Sequence, residues 1–134
     1  MWPERSTIRD DDSAPKIHRY YLFGTGKTFG VFVHHFVGDD APAMFHDHPW
    51  SWGISLVLRG GYIEERREPD GRVAKRLLRP GRLNWLRPGM FHRVELRDRR
   101  PAWTLFVHGP KVTRWGFLDA VTGAFRFWSP SDAH

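Results

Sequence analysis

His46-Asp47-His48 places two imidazoles at positions i and i+2. On an extended strand such residues share one face, and Asp47 points to the other. A third histidine, His92, lies in Pro88-Gly89-Met90-Phe91-His92. Three neutral imidazoles converging from two strands make an open metal site. Imidazole suits iron, zinc, copper and nickel alike, so the ligands alone do not choose the metal. The doubly positive site would draw an anionic substrate. Fe(II) there would take substrate and O₂ in adjacent positions, whereas zinc would lower the pKa of bound water to about 7. A 2-oxoglutarate oxygenase offers His-x-Asp or His-x-Glu, and position 48 is His.

The elements that must position these residues read as short strands. Ile17–Leu22 and Thr28–Val37 flank the turn Gly24-Thr25-Gly26-Lys27. That turn is no phosphate loop: the required earlier glycine is Tyr21, the next is Phe29, and no helical pattern follows. Further strands are expected over 53–59, 62–68, 72–78, 83–86, 92–96, 103–107, 112–117 and 124–128. They are punctuated by Gly60-Gly61, Pro69-Asp70-Gly71, Pro80-Gly81 and Pro88-Gly89. No stretch holds a 3.6-residue period, so the pattern implies an all-β sandwich or barrel. His34 and His35 are adjacent and should face opposite ways; each reads as a packed or surface histidine, with support of a metal ligand as the alternative for one of them.

A chain of 134 residues without internal repeat or linker suits one domain, 1–134, with residues 1–14 a loose or edge-packed arm. Net charge is +6 and pI about 10.3. The arginine clusters are interleaved with Glu64, Glu65, Glu68, Glu95 and Asp98, which reads as solvated strand faces rather than a nucleic-acid surface. No apolar run approaches a membrane span, and residues 1–12 lack the apolar core of a secretory leader. The chain has no cysteine, which excludes disulfides and thiolate zinc sites and suits a cytoplasmic protein.

These motifs, in this order, resemble the cupin superfamily of double-stranded β-helix (jelly-roll) barrels. His46-x-His48 and Gly60 fit its first motif; Gly81, Gly89 and His92 fit its second. Three departures stand out. The second-motif proline adjoins its glycine (Pro88-Gly89), and Leu96 replaces the asparagine. The first-motif glutamate is missing, since Gly53 and Trp52 stand where it would fall. The resemblance therefore implies His46, His48 and His92 as ligands, a site like that of the thiol dioxygenases, which also lack this glutamate. Otherwise Glu64 or Glu65, whose expected role is surface pairing with Arg66 and Arg67, fills the gap. Gly53 should leave room beside the metal.

The reading that follows is a mononuclear metal enzyme, with Fe(II) as first choice and Zn, Ni or Mn as others. It would be dioxygenase-like, act on a small anionic molecule and pair as a homodimer. His108 is the candidate base, Arg59 the candidate carboxylate clamp ahead of Arg87 and Arg93, and Tyr62 a candidate wall beside Trp50, Trp52, Trp85 and Trp103. The alternatives are a ligand-binding or sensing barrel, or a metal-independent enzyme resembling sugar epimerases. The Ser-His-Tyr arrangement of the cysteine-oxidising enzymes has no obvious counterpart, which leaves the substrate open.

Overall fold

The computed structural model describes residues 4–9, 15–24, 28–39 and 44–128. Its strands are β1 (Glu4–Arg9), β2 (Pro15–Gly24), β3 (Gly30–Phe36), β4 (Met44–His46), β5 (Gly53–Arg59), β6 (Tyr62–Arg67), β7 (Val73–Leu78), β8 (Leu83–Leu86), β9 (His92–Leu96), β10 (Ala102–His108), β11 (Gly116–Asp119) and β12 (Phe125–Phe127). They form two six-stranded antiparallel sheets, β1-β2-β3-β10-β5-β8 and β12-β11-β4-β9-β6-β7.

Period-2 alternation explains why these segments are strands. β3 and β10 both alternate buried with half-buried residues along their whole length. Their inward rows join those of β5 and β8 and of β6, β7 and β9 in the facing sheet to make two apolar clusters. One holds Phe36, Val57, Tyr62, Leu78, Val94, Leu96 and Ala102; the other holds Phe32, Trp50, Leu86 and Phe106. Gly60 turns the chain between β5 and β6 at φ +84°, where a side chain would collide with the Pro101 carbonyl.

Three local features have identifiable causes. The strand expected over 112–117 begins only at Gly116, because the amides of Val112 and Thr113 both donate to Pro49 O and bend that segment over the histidine motif. The Glu4–Arg9 part of the N-terminal arm pairs with β2 as an edge strand. The chain at His46-Asp47-His48 leaves the ladder after His46, so Asp47 and His48 belong to a loop. The turn residues Thr25–Lys27 lie outside the described residues.

Candidate metal centre

His46 ends β4 directly opposite His92 on β9, so their rings share a face. Their centroids are 4.6 Å apart, and that of His48 is 5.1 Å from the first and 5.2 Å from the second. One ligand atom from each of the three lies within 4.8 Å of the others. Asp47 points away, as the spacing requires, and holds the loop. Its carboxylate accepts from the Gly116 amide (2.9 Å) and the Gly89 amide (3.2 Å). Gly89 presents that amide from a turn with φ +78°, a conformation that favours glycine.

The buttress for His92 is Glu64. Its carboxylate is fully buried, not a surface group as the sequence suggests. A carboxylate only accepts, so His92 Nδ1–H donates to Glu64 Oε2 at 2.8 Å. This fixes the tautomer and leaves His92 Nε2 as the free lone pair, 3.0 Å from His48 Nε2. Asn84 Nδ2 donates to the same carboxylate at 2.6 Å, and Arg66 and Arg76 approach it at 3.1 and 3.2 Å. Burial alone would push the Glu64 carboxyl up. The hydrogen bonds from His92 and Asn84, with the charge of Arg66, instead hold it well below the usual carboxylate range. Tyr62 continues the network, its hydroxyl accepting from Asn84 at 3.4 Å. Burial, then the neighbouring His46 and His92, pushes His48 well below the usual imidazole range. A neutral His48 is what ligation needs.

The donor set fits a metal ion. Two nitrogens bound at about 2.1 Å to one ion stand roughly 3.0–3.4 Å apart, and the His48–His92 separation falls at the start of that range. The three would leave positions open, as a catalytic site requires. Glu64 serves behind His92 rather than beside it. Glu65 pairs instead with Lys75 and Arg93 at 3.3 Å each.

Gly53 does not leave room for a ligand. A Cβ there would sit 2.7 Å from Phe106 Cζ, so the Phe106 ring fills the space a first-motif glutamate would use. Phe106 in turn lies 6.2 Å from the His48 ring and 5.3 Å from Trp50, forming an apolar wall with it.

The other sequence candidates are dispersed. Arg59 is exposed at the end of β5 remote from Gly53, opposite Trp103 on β10. His108 is buried, its Nδ1–H donating to Gly109 O at 2.7 Å while Nε2 faces Gly30. Its ring stacks on Trp50 at 4.1 Å, and the same indole packs against His48 at 5.7 Å. Tyr62 belongs to the core behind Glu64. Trp85 and Trp103 lie on the outer face, Trp103 stacked on His35 at 3.9 Å. His34 does face inward. Its Nε2 accepts from Arg19 Nε at 2.9 Å. Arg19 and Asn84 are the interior residues that sequence reasoning missed. The signal for Arg19 was its place in the inward series Ile17-x-Arg19-x-Tyr21.

The sequence matches no protein-family model and no curated protein. The fold does match solved structures. Fe(II)-HppE aligns with a TM-score of 0.60 at 14% identity over 78% of this chain and 56% of its own. Streptomyces albus HEPD, solved with 2-hydroxyethylphosphonate and Fe(II), aligns at 0.64 and 16%, over 81% of this chain and 24% of its own. A sugar phosphate isomerase of the cupin superfamily from Silicibacter pomeroyi aligns at 0.62 and 16%, over 96% of this chain and 89% of its own. The chain thus spans about half of the first of these proteins and a quarter of the second. Among the described residues no helix is long and apolar enough to cross a membrane.

Proposed function

We propose that this chain, which has the cupin fold, is a mononuclear metal enzyme of dioxygenase-like type acting on a small anionic molecule in the cytoplasm. The observation that carries this reading is the convergence of His46, His48 and His92 with His92 backed by a buried carboxylate. Fe(II) is the metal we favour, because HppE and HEPD, which share the fold, are Fe(II) proteins. Bound there, it would supply open coordination positions for substrate and O₂. The protein's own contributions follow from its residues. Glu64 keeps the proton on His92 Nδ1. Phe106 and Trp50 form a dry wall beside His48, which strengthens every charge interaction inside. Phosphonate and phosphate recur in the names of the fold relatives, which supports an anionic substrate.

The test is elemental analysis of the purified protein beside a His46→Ala/His48→Ala variant. About one transition metal per chain, lost in the variant, is expected. No metal after anaerobic loading with Fe(II), Zn(II) and Ni(II) would overturn the reading. The near end-to-end match to the sugar phosphate isomerase supports a second one, isomerisation of a phosphorylated sugar. Turnover of sugar phosphates by chelator-stripped protein would favour it.

The expected homodimer has a suitable surface. The outer face of β3, β10, β5 and β8 presents Val33, Leu105, Leu56, Leu58, Leu83 and Trp85. Apart from Arg59 at the end of β5, the outward residues of these strands carry no charge, so two copies of a +6 chain can meet there with little repulsion. Light scattering on Leu56→Asp/Leu83→Asp should then report a monomer, against a dimer for the parent chain.

A further inference from the structure

The registers of the first sheet align three inward polar side chains in one row. Arg19 on β2 pairs with His34 on β3, which pairs with Thr104 on β10. The row on one side is Ile17, Phe36 and Ala102, and on the other Tyr21, Phe32 and Phe106. A cation has thus been placed between two apolar rows of the barrel, where burying it unpaired is costly. Its partners among the described residues are neutral. Arg19 Nε donates to His34 Nε2, and Tyr21 contributes its hydroxyl. The guanidinium carbon lies 4.9 Å over the Phe32 ring and 6.0 Å over Trp50. Burial, then Arg19 itself, pushes His34 well below the usual imidazole range. His34 therefore stays neutral and cannot repel its partner. Because its Nε2 accepts, Nδ1 carries the proton.

The buried carboxylate Glu64 does not serve Arg19, being engaged by Arg66, Arg76, Asn84 and His92. Thr104 Oγ1 is buried beside His34 with no partner among the described residues. Arg19 is half-buried. Trp50 links it to the histidine cluster, its ring lying 6.0 Å from the guanidinium carbon and 5.7 Å from the His48 ring.

We propose that Arg19, positioned by His34, binds an oxyanion of the ligand, a carboxylate or a phosphonate or phosphate group, while the rest of the ligand extends towards His46, His48 and His92. This rests on the reading of the barrel interior as the substrate chamber. A guanidinium held by neutral partners keeps donors free for a bidentate oxyanion, and the charge-assisted bonds offset its desolvation. His34 fixes the direction of the fork without spending charge on it.

The test is calorimetric titration of the parent chain and of Arg19→Gln with malonate and with methylphosphonate, each with bound metal and after chelation, with metal content measured in parallel. The expected result is that one anion binds the parent chain and binds Arg19→Gln ~10- to 100-fold more weakly at equal metal content. Which anion binds decides between carboxylate and phosphonate chemistry. Binding that depends on Arg19 and survives chelation upholds this proposal even if the metal reading fails. Binding that vanishes on chelation and ignores the substitution overturns it and leaves the metal reading standing. No anion binding by the parent chain also overturns it. Should Arg19→Gln fail to fold, the Arg19 Nε–H resonance of the parent chain provides the second readout. Its displacement by the anion is expected, and its indifference to saturating amounts of both overturns the proposal.

Discussion

Glu64 and Arg19 carry opposite charges into the same interior from opposite sheets, and the barrel treats them differently. Glu64 on β6 is met by two guanidiniums, an amide and an imidazole, each from a different position on β6, β7, β8 or β9. Arg19 on β2 is met, among the described residues, by neutral His34 and Tyr21 and by aromatic faces. The first is a completed electrostatic structure. The second is a charge whose compensation is unfinished within the described residues. The lesson is that a buried charge with its full complement of partners reads as architecture, and one with neutral partners reads as waiting for a ligand.

Glu64→Leu should break this contrast most severely. Removing one member of a buried charged network leaves the others stranded, at a cost of about 3–5 kcal/mol. Because Arg66 and especially Arg76 retain solvent contact, the lower end is expected. Urea unfolding measures the loss, and metal affinity should drop ~10- to 100-fold as His92 loses its acceptor.

Acid should act next. The Glu64 carboxyl is depressed in the folded state, so its stabilisation is present above the ordinary carboxylate range and is lost as pH falls below about 4 towards the folded value. Stability curves at pH 7, 5, 4 and 3 should fall more steeply for the parent chain than for Glu64→Gln. Parallel curves would show that Glu64 is not the group that responds.

Asn84→Ala is a milder cut. It removes the 2.6 Å donor to Glu64 and leaves a buried acceptor short, for about 1–3 kcal/mol. Both guanidiniums remain, so the acid response of Glu64 should persist, and its disappearance would mean Asn84 alone sustains the depressed carboxyl.

Arg19→Met should have the smallest effect on stability and the opposite tendency. Replacing a desolvated cation by an apolar side chain is expected to leave the unfolding free energy unchanged or to raise it by up to about 1 kcal/mol. A loss comparable to that of Glu64→Leu would erase the distinction between the two charges and make Arg19 architectural as well.

Much of the fold was legible because it rests on local alternation. The limits expected for β5, β8 and β9 coincide with the observed ones, and Val57, Leu86, Val94 and Leu96 on them point into the core. His46 and His48 were legible because the i, i+2 rule puts both on one side, with Asp47 turned away as observed. The segment before Gly116 was not, because Pro49 O captures its amides from a distant part of the chain. Glu64 was misread for a similar reason. In Tyr62-Ile63-Glu64-Glu65-Arg66-Arg67 the local pattern is that of a solvated face, and only β7, β8 and β9 reveal that position 64 points inward.

The sequence by itself determined where strands form, where glycine turns them, and which three imidazoles meet, since all of these follow from steric and periodic rules acting over a few residues. Tertiary structure alone decided that Phe106 occupies the space at Gly53, that Trp50 packs against both His108 and His48, and that Arg19, unlike Arg59, is turned into the interior. Those outcomes depend on which strands become neighbours and on volumes contributed by residues far apart in the chain. Close packing settles both only once the two sheets have come together.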